Sequence, residues 1–426
     1  MKSANRHPLT WVPSLYLAMG LPNVMVGVVA AILYKNLGVS NEDIALYTSQ
    51  MYLPWVLKPL WSPLLEPFQT KRWWALCMQL VMMASLGAVA FCLPLDSFFQ
   101  ASLAFFWITG FASATQDIVA DGIFITTMPL KDQARYAGLQ GMCWNLGAVV
   151  GSGLLVSLTG WLHNQLGWSW VQCWMSVMLA TAAMMGLFAA WHWRTLPAGA
   201  PSALQGRGLA ASGTALKEAW VSFFAKPQIW MMLAVIFFYR FGEGFIEKFG
   251  PLFLLDARSA GGLGLSNESM GFLNGTAGTL AFIAGAFLGG FMVARWSLPR
   301  TLVLLSLVLN LPHVTYWLLS QQLPTAMAWI GVLVAIEKFG FGMGSVGLML
   351  YMMQQVAPGP FKMTHYAYAT GVMALTKWST GTVSAWVFAA CGQRYTTFFS
   401  LVLALSVVPV VLAFFAPFPQ SEQCEP

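Results

Sequence analysis

The sequence predicts an all-α integral membrane protein of twelve transmembrane helices, arranged as two six-helix, pseudo-symmetric halves. Three observations predict it. Only 8% of the 426 residues are Asp, Glu, Lys or Arg, against about 25% in ordinary soluble domains. Hydrophobic residues make up 58% of the chain. Since about 20 apolar residues carry a helix across a bilayer, the length allows about twelve crossings and little soluble domain. Near the middle, PAGAPSALQGRGLAASG interrupts the apolar pattern with small, polar, Gly/Pro-rich sequence and reads as a linker.

In chain order the spans fall near 10–34, 43–64, 72–94, 99–125, 136–160 and 168–192, then 227–255, 266–294, 299–319, 325–352, 365–390 and 396–417. The organisation expected is therefore an N-terminal six-helix half (1–192), a cytoplasmic linker (193–226) and a C-terminal six-helix half (227–426). The opening MKSANRHP enters the first apolar stretch without a small-residue cleavage site, so that stretch reads as a retained span. The second span holds Pro54, Pro59 and Pro63, each of which removes a backbone donor and favours a kink. The tenth holds Gly340, Gly342, Gly344 and Gly347, which suit either close packing or a hinge. Trp11, Trp73, Trp74, Trp168, Trp170 and Trp220 lie near span ends, as interfacial residues do. Trp55, Trp144 and Trp378 are the candidates for stacking on a flat ligand, although packing is the commoner role.

Charge placement predicts orientation. With the N-terminus inside, Lys2, Arg6, Lys71, Arg72, Lys131, Arg135, Arg194, Arg207, Lys217, Lys226, Arg295, Arg300 and Lys362 fall on the cytoplasmic side. Only Lys35, Arg258 and Arg394 fall outside, an asymmetry that places both termini in the cytoplasm and requires an even span count. The net charge of +6 comes with no basic tract or recognition motif, so no nucleic-acid partner is expected.

The chemistry-bearing residues are six acids in or beside apolar spans: Glu66, Asp117, Asp121, Glu243, Glu247 and Glu337. An ionisable group in lipid costs at least ~2.5–3.5 kcal/mol, so such groups are expected to face a polar cavity, pair with a base or carry protons. That points to a transporter. Asp117 and Asp121 are four apart and share a helical face, where mutual repulsion suits one of them to proton exchange. Lys58 is a candidate base for them. Arg240, Glu243 and Glu247 recur at spacings of three and four, so a forked hydrogen bond from Arg240 is expected to hold one glutamate charged and leave the other free to titrate. Structural ion pairs are the competing reading. Lys248, Lys338 and Lys377 are the remaining cations within spans, and Glu66, at a span edge, reads as gate or loop structure. Among His7, His163, His192, His313 and His365, only His313 is expected within the membrane, where it suits a proton path. The histidines lack ligand spacing, so neither metal nor cofactor is expected. Cys77, Cys92, Cys143, Cys173, Cys391 and Cys424 form no CxxC pair and read as small buried thiols. No nucleophile–base pair and no GxxxxGK[ST] motif is present, which disfavours an enzyme and direct ATP drive.

Six plus six spans around a long linker, with matching basic turns in WSPLLEPFQTKRWWAL and GAFLGGFMVARWSLPRTLVL, resemble the major facilitator superfamily. Within it, LGVSNEDIALYTSQMYLPWVLKPLWSPLLE, ATQDIVADG, YRFGEGFIEKFGPLFLL, GLSNESMGFLNGTAGTLAFIAGAFLGG, IEKFGFGMGS and FKMTHYAYATGVMAL are similar to the AmpG-like permeases, importers of cell-wall muropeptides. The resemblance covers most of the chain in order. It implies a cavity lined by the first, fourth, seventh and tenth helices. Asp117 and Asp121 would then match the family's paired aspartates, and Glu337 an acid before the Gly-rich part of the tenth helix. Lys58 would match the lysine of an LK-x-LW motif, and Glu243 stands where an Asp is usual after Gly242. Lys58 and Lys377 would flank the cavity. Length and character most resemble a siderophore branch, that of the yersiniabactin-associated inner-membrane transporter. The expectation is a monomeric, multi-pass, proton-coupled importer of a bulky siderophore-type solute in the bacterial inner membrane, with protons and the lipid bilayer as its other partners. The alternatives are a muropeptide permease or an exporter of the same fold.

Overall fold

A computed structural model describes residues 6–39, 41–201, 212–265 and 267–419. Lys2, Arg207, Cys424 and the centre of the linker lie outside them. The helices run α1 (Val12–Asn36), α2 (41–65), α3 (Lys71–Cys92), α4 (Phe98–Thr127), α5 (Leu130–Leu166), α6 (Trp170–Thr195), α7 (Ile229–Leu255), α8 (Gly278–Trp296), α9 (Leu298–Gln322), α10 (Met327–Val356), α11 (Lys362–Ala390) and α12 (Tyr395–Phe414). Among the described residues ten of these are long and apolar enough to cross a membrane, all except α2 and α11. The α11 helix is continuous but carries Lys377 and a series of threonines.

The expected second span is not one helix. It runs as Asn41–Gln50, Leu53–Leu57, a 3-10 turn Lys58–Leu60 and Ser62–Leu65. Three prolines within ten residues each remove an N–H and crowd the preceding turn, so the helical ladder restarts at each one. Other interruptions are repaired by side chains, because lipid supplies no water to an unpaired backbone group. Pro22 in α1 cannot donate to the Ala18 carbonyl, and Gln116 Nε2 donates to that carbonyl instead at 3.1 Å, ahead of a π-helical turn at Met25–Val29. The α7 helix breaks at Arg240, between Ile229–Tyr239 and Phe241–Leu255. Its Phe237 carbonyl accepts from Thr376 Oγ1 at 2.9 Å and its Tyr239 carbonyl from Asn310 Nδ2 at 3.2 Å. Pro312 divides α9, so His313 opens its second half, and Ser406 stands at a break in α12.

Two compact units are present: Met1–Met128, Met142–Trp220 and Pro360–Tyr368 in the first; Pro129–Gly141, Val221–Gly359 and Ala369–Pro426 in the second. The first is built on large apolar side chains including Tyr34, Phe106 and Trp174, the second on an aromatic cluster of Phe245, Phe249, Phe253, Tyr316, Phe398 and Phe399. In the second unit α10 meets its neighbours backbone to backbone. A Cβ at Gly342 would stand 2.0 Å from the Phe282 carbonyl, and one at Gly340 2.3 Å from that of Val308. These glycines therefore sit where close packing requires them. Each unit also pins one end of the linker with a lysine: Lys71 Nζ donates to Ala200 O at 2.7 Å, and Lys226 Nζ to Val356 O and Pro358 O. Burial pushes the Lys226 ammonium down to about 7.

Candidate functional site

In the first unit α4 carries Asp117 and Asp121 on one buried face. Trp55 Nε1 donates to Asp117 Oδ2 at 2.9 Å, and the Tyr16 hydroxyl donates to Asp121 Oδ1 at 2.9 Å. Both donors are neutral. The facing cation is Lys58, which the 3-10 turn of α2 turns inward and buries near both carboxylates. Among the described residues Asp117 Oδ1 is buried and meets no hydrogen-bond donor. Tyr366, from the part of α11 that belongs to this unit, also lies in the electrostatic range of both acids. Glu66, at the end of α2, is buried and accepts from Thr364 Oγ1 at 3.1 Å.

In the second unit the acids have basic partners in contact. His313 Nε2 lies 3.3 Å from Glu243 Oε2, and its Nδ1 lies 2.7 Å from Ser406 Oγ. Lys338 Nζ lies 3.0 Å from Glu337 Oε2. Adjacent residues on a helix diverge by about 100°, so this is attraction of charge rather than an aligned hydrogen bond, and among the described residues Glu337 Oε1 is left without a donor. Lys377 Nζ pairs with Glu247 Oε1 at 2.6 Å, both about half-exposed.

Arg240 does not make the forked bond expected of it. The break in α7 takes it off the Glu243 register, and its guanidinium stacks on the Phe341 ring at 4.6 Å. Glu243 turns to His313 and Glu247 to Lys377 instead. Two further histidines are buried besides His313. His192 is fully buried, with Nδ1 3.0 Å from Gln79 Oε1 and Nε2 3.0 Å from Ser14 Oγ, and His365 is buried in α11. Trp55 is buried, its indole N–H donating to Asp117 and its ring stacked on Tyr52 at 5.4 Å; Trp378 is exposed and Trp144 half-buried. The Asp117–Asp121–Lys58 set lies in the first unit, and the Glu243–Glu337, Arg240 and Glu247–Lys377 set in the second. Sequence reasoning missed Tyr16 and Ser406, whose partners are 105 and 93 residues away in the chain. Pro312 was the available sign that His313 begins a new helix.

A multi-pass helical bundle that buries carboxylates with indole, phenol, imidazole and lysine partners is the build of a secondary transporter, not of a lipid anchor. Residues 14–385 match the Major Facilitator Superfamily, and the chain belongs to that superfamily. It is 28% identical over 404 residues to the anhydromuropeptide permease of Escherichia coli (strain K12), covering 93% of this chain and 77% of that one. Among solved structures it is similar to the Escherichia coli fucose:proton symporter FucP, with TM-score 0.74, 12% identity, and 96% and 98% of the two chains covered. The proton:xylose symporter XylE is also similar, with TM-score 0.70, 11% identity and 97% of each chain covered.

Proposed function

We propose that this chain imports a bulky amphipathic solute of the muropeptide class by proton symport, through alternating access, in a bacterial inner membrane with both termini cytoplasmic. The observation that carries the reading is the pair of buried acid sites. In each unit one acid has a side-chain partner, Tyr16 for Asp121 and His313 for Glu243, and the other keeps an oxygen, Asp117 Oδ1 or Glu337 Oε1, buried with no donor among the described residues. A buried acceptor left unpaired costs about 1–3 kcal/mol, which a proton or a polar group of the solute would relieve. The anhydromuropeptide permease similarity along 93% of the chain supports the muropeptide class. The siderophore branch gains no such support from the relatives, so it is the second reading.

The test is proton uptake into proteoliposomes with a trapped pH dye. Anhydromuropeptide and a metal-loaded phenolate siderophore are added in parallel, with Asp121→Asn as control. Acidification driven by anhydromuropeptide and lost in the control is the expected result. A response to the siderophore alone would reverse the substrate assignment, and outward solute flux would make the protein an exporter.

A further inference from the structure

Three helix interruptions converge on Glu243. Arg240 breaks α7, His313 opens the second half of α9, and Ser406 stands at the break in α12. His313 bridges Glu243 Oε2 at 3.3 Å and Ser406 Oγ at 2.7 Å, and Ser406 Oγ lies 2.8 Å from the Val402 carbonyl. Both Glu243 and His313 are 1% exposed. We propose that Glu243, His313 and Ser406 form a one-proton store that keeps its hydrogen-bond chain intact in both charge states, the Ser406 hydroxyl turning between them. This deepens the proton-symport reading and rests on it.

The donors account for each state. In the loaded state the Ser406 hydroxyl donates to the Val402 carbonyl, and its oxygen accepts from His313 Nδ1–H. The remaining proton lies between Nε2 and Glu243 Oε2, so the pair is neutral overall. In the empty state the hydroxyl turns and donates to Nδ1, while Nε2–H donates to the Glu243 carboxylate, and the pair carries one negative charge. Only one proton enters or leaves. The Val402 carbonyl is not stranded when the hydroxyl turns, because Ser406 N–H also donates to it at 3.0 Å. A hydroxyl suits this place since it is both donor and acceptor and its hydrogen rotates.

Charged groups surround the store. The Glu337 carboxyl on α10 lies within side-chain hydrogen-bond reach of Glu243, and Arg240 and Glu247 on α7, Tyr316 on α9 and Lys338 on α10 lie in electrostatic range of the pair. Lys338 is balanced by Glu337 at 3.0 Å, and Glu247 by Lys377 at 2.6 Å. Gly242 lets the ring in: a Cβ there would stand 2.9 Å from His313 Cε1 and 3.0 Å from Ser406 Oγ.

The test is an infrared pH titration of the purified full-length protein in detergent, with no solute added. Wild type is compared with Glu243→Gln, His313→Asn, Ser406→Ala and Ser406→Thr, each first checked for monodispersity and helical content. Wild type is expected to show a titrating carboxyl or imidazole-ring signal that Glu243→Gln and His313→Asn remove or displace. Ser406→Ala should move its midpoint by about one pH unit, a tenfold change in proton affinity, and Ser406→Thr should keep the wild-type midpoint. A signal indifferent to Glu243→Gln, an unmoved midpoint in Ser406→Ala, or equal displacement by Ser406→Thr overturns the store. If any of these variants fails to fold, Gly242→Ala, which disturbs the ring but keeps every titrating group, must displace the midpoint or the store is overturned. The expected titration without solute-driven uptake in proteoliposomes would reject symport and leave the store standing. Uptake with none of these midpoint shifts would reject the store alone.

Discussion

The two units hold their acids by different means. Around Asp117 and Asp121 the donors include an indole and a phenol, and the cation Lys58 acts on both acids electrostatically. Around Glu243 and Glu337 the partners are an imidazole and an ammonium at 3.3 and 3.0 Å. A neutral donor serves a carboxylate and a carboxylic acid alike, so the first site tolerates a change of charge with little rearrangement. The second site has bases in contact, so a change of charge there must be shared with them. The difference teaches that one scaffold can bury acids in two ways: against neutral donors, or against a base that can itself accept a proton.

The most severe way to break this comparison is to neutralise one acid in each site. Asp121→Asn and Glu243→Gln are each expected to abolish solute-driven proton uptake in the dye-loaded vesicles while leaving folded protein. Retained uptake in one of them would leave a single coupling site. Next come the glycines behind the acids. Gly242→Ala forces a Cβ against a ring anchored at both nitrogens, and Gly122→Ala places one 2.7 Å from Met363 Cγ and 3.0 Å from Met363 Cβ, which the backbone holds in place. Overpacking costs about 1–3 kcal/mol, so both variants should lower the unfolding temperature, but only Gly242→Ala should also move the titration of the Glu243–His313 pair. Thermal unfolding and infrared titration of the two variants side by side measure the contrast.

A finer distinction lies within the first site. Trp55→Phe strips Asp117 of its direct donor at Oδ2 when Oδ1 already has none, a loss of about 1–3 kcal/mol for a buried acceptor. Tyr16→Phe removes one of several interactions at Asp121 and should shift the pH profile of uptake less. Equal shifts would mean the two aspartates act as one group. The last prediction, on stability and not on uptake, concerns the lysine that ends the linker in the second unit. With Lys226 pushed down to about 7 when folded and near 10.4 when unfolded, the unfolded chain binds the extra proton between those values. Stability should therefore rise with pH across that window. Lys226→Met is expected to flatten this part of a plot of unfolding temperature against pH, and an unchanged slope would show that Val356 O and Pro358 O keep the ammonium charged throughout.

Much of this architecture was legible in the sequence, and the limits have physical causes. Apolar length announces α3, α4, α6 and α10 directly, since bilayer thickness dictates helix length. Asp117, Asp121, Glu243 and Glu337 stood out because charge is scarce. Their partners did not. Spacing along an ideal helix linked Arg240 to Glu243, but the break at Arg240 cancels that register, and no propensity rule places it there. Tyr16 and Ser406 are ordinary residues made important by packing between helices distant in the chain. His192 did not stand out because it lies near the end of α6 and its partners, Gln79 and Ser14, come from other helices.

The broken seventh helix has a consequence for how such a chain can drift over generations. Two of its backbone carbonyls depend on the side chains of Thr376 and Asn310. Polarity at those positions of α11 and α9 thus serves a neighbour's main chain. Thr376→Val, nearly the same shape, would strand the Phe237 carbonyl unless the helix mended itself at Arg240. Homologues that have lost the hydroxyl at 376 or the amide at 310 should therefore differ near 240 as well, and this linked substitution, readable in an alignment, is a signature of the break itself.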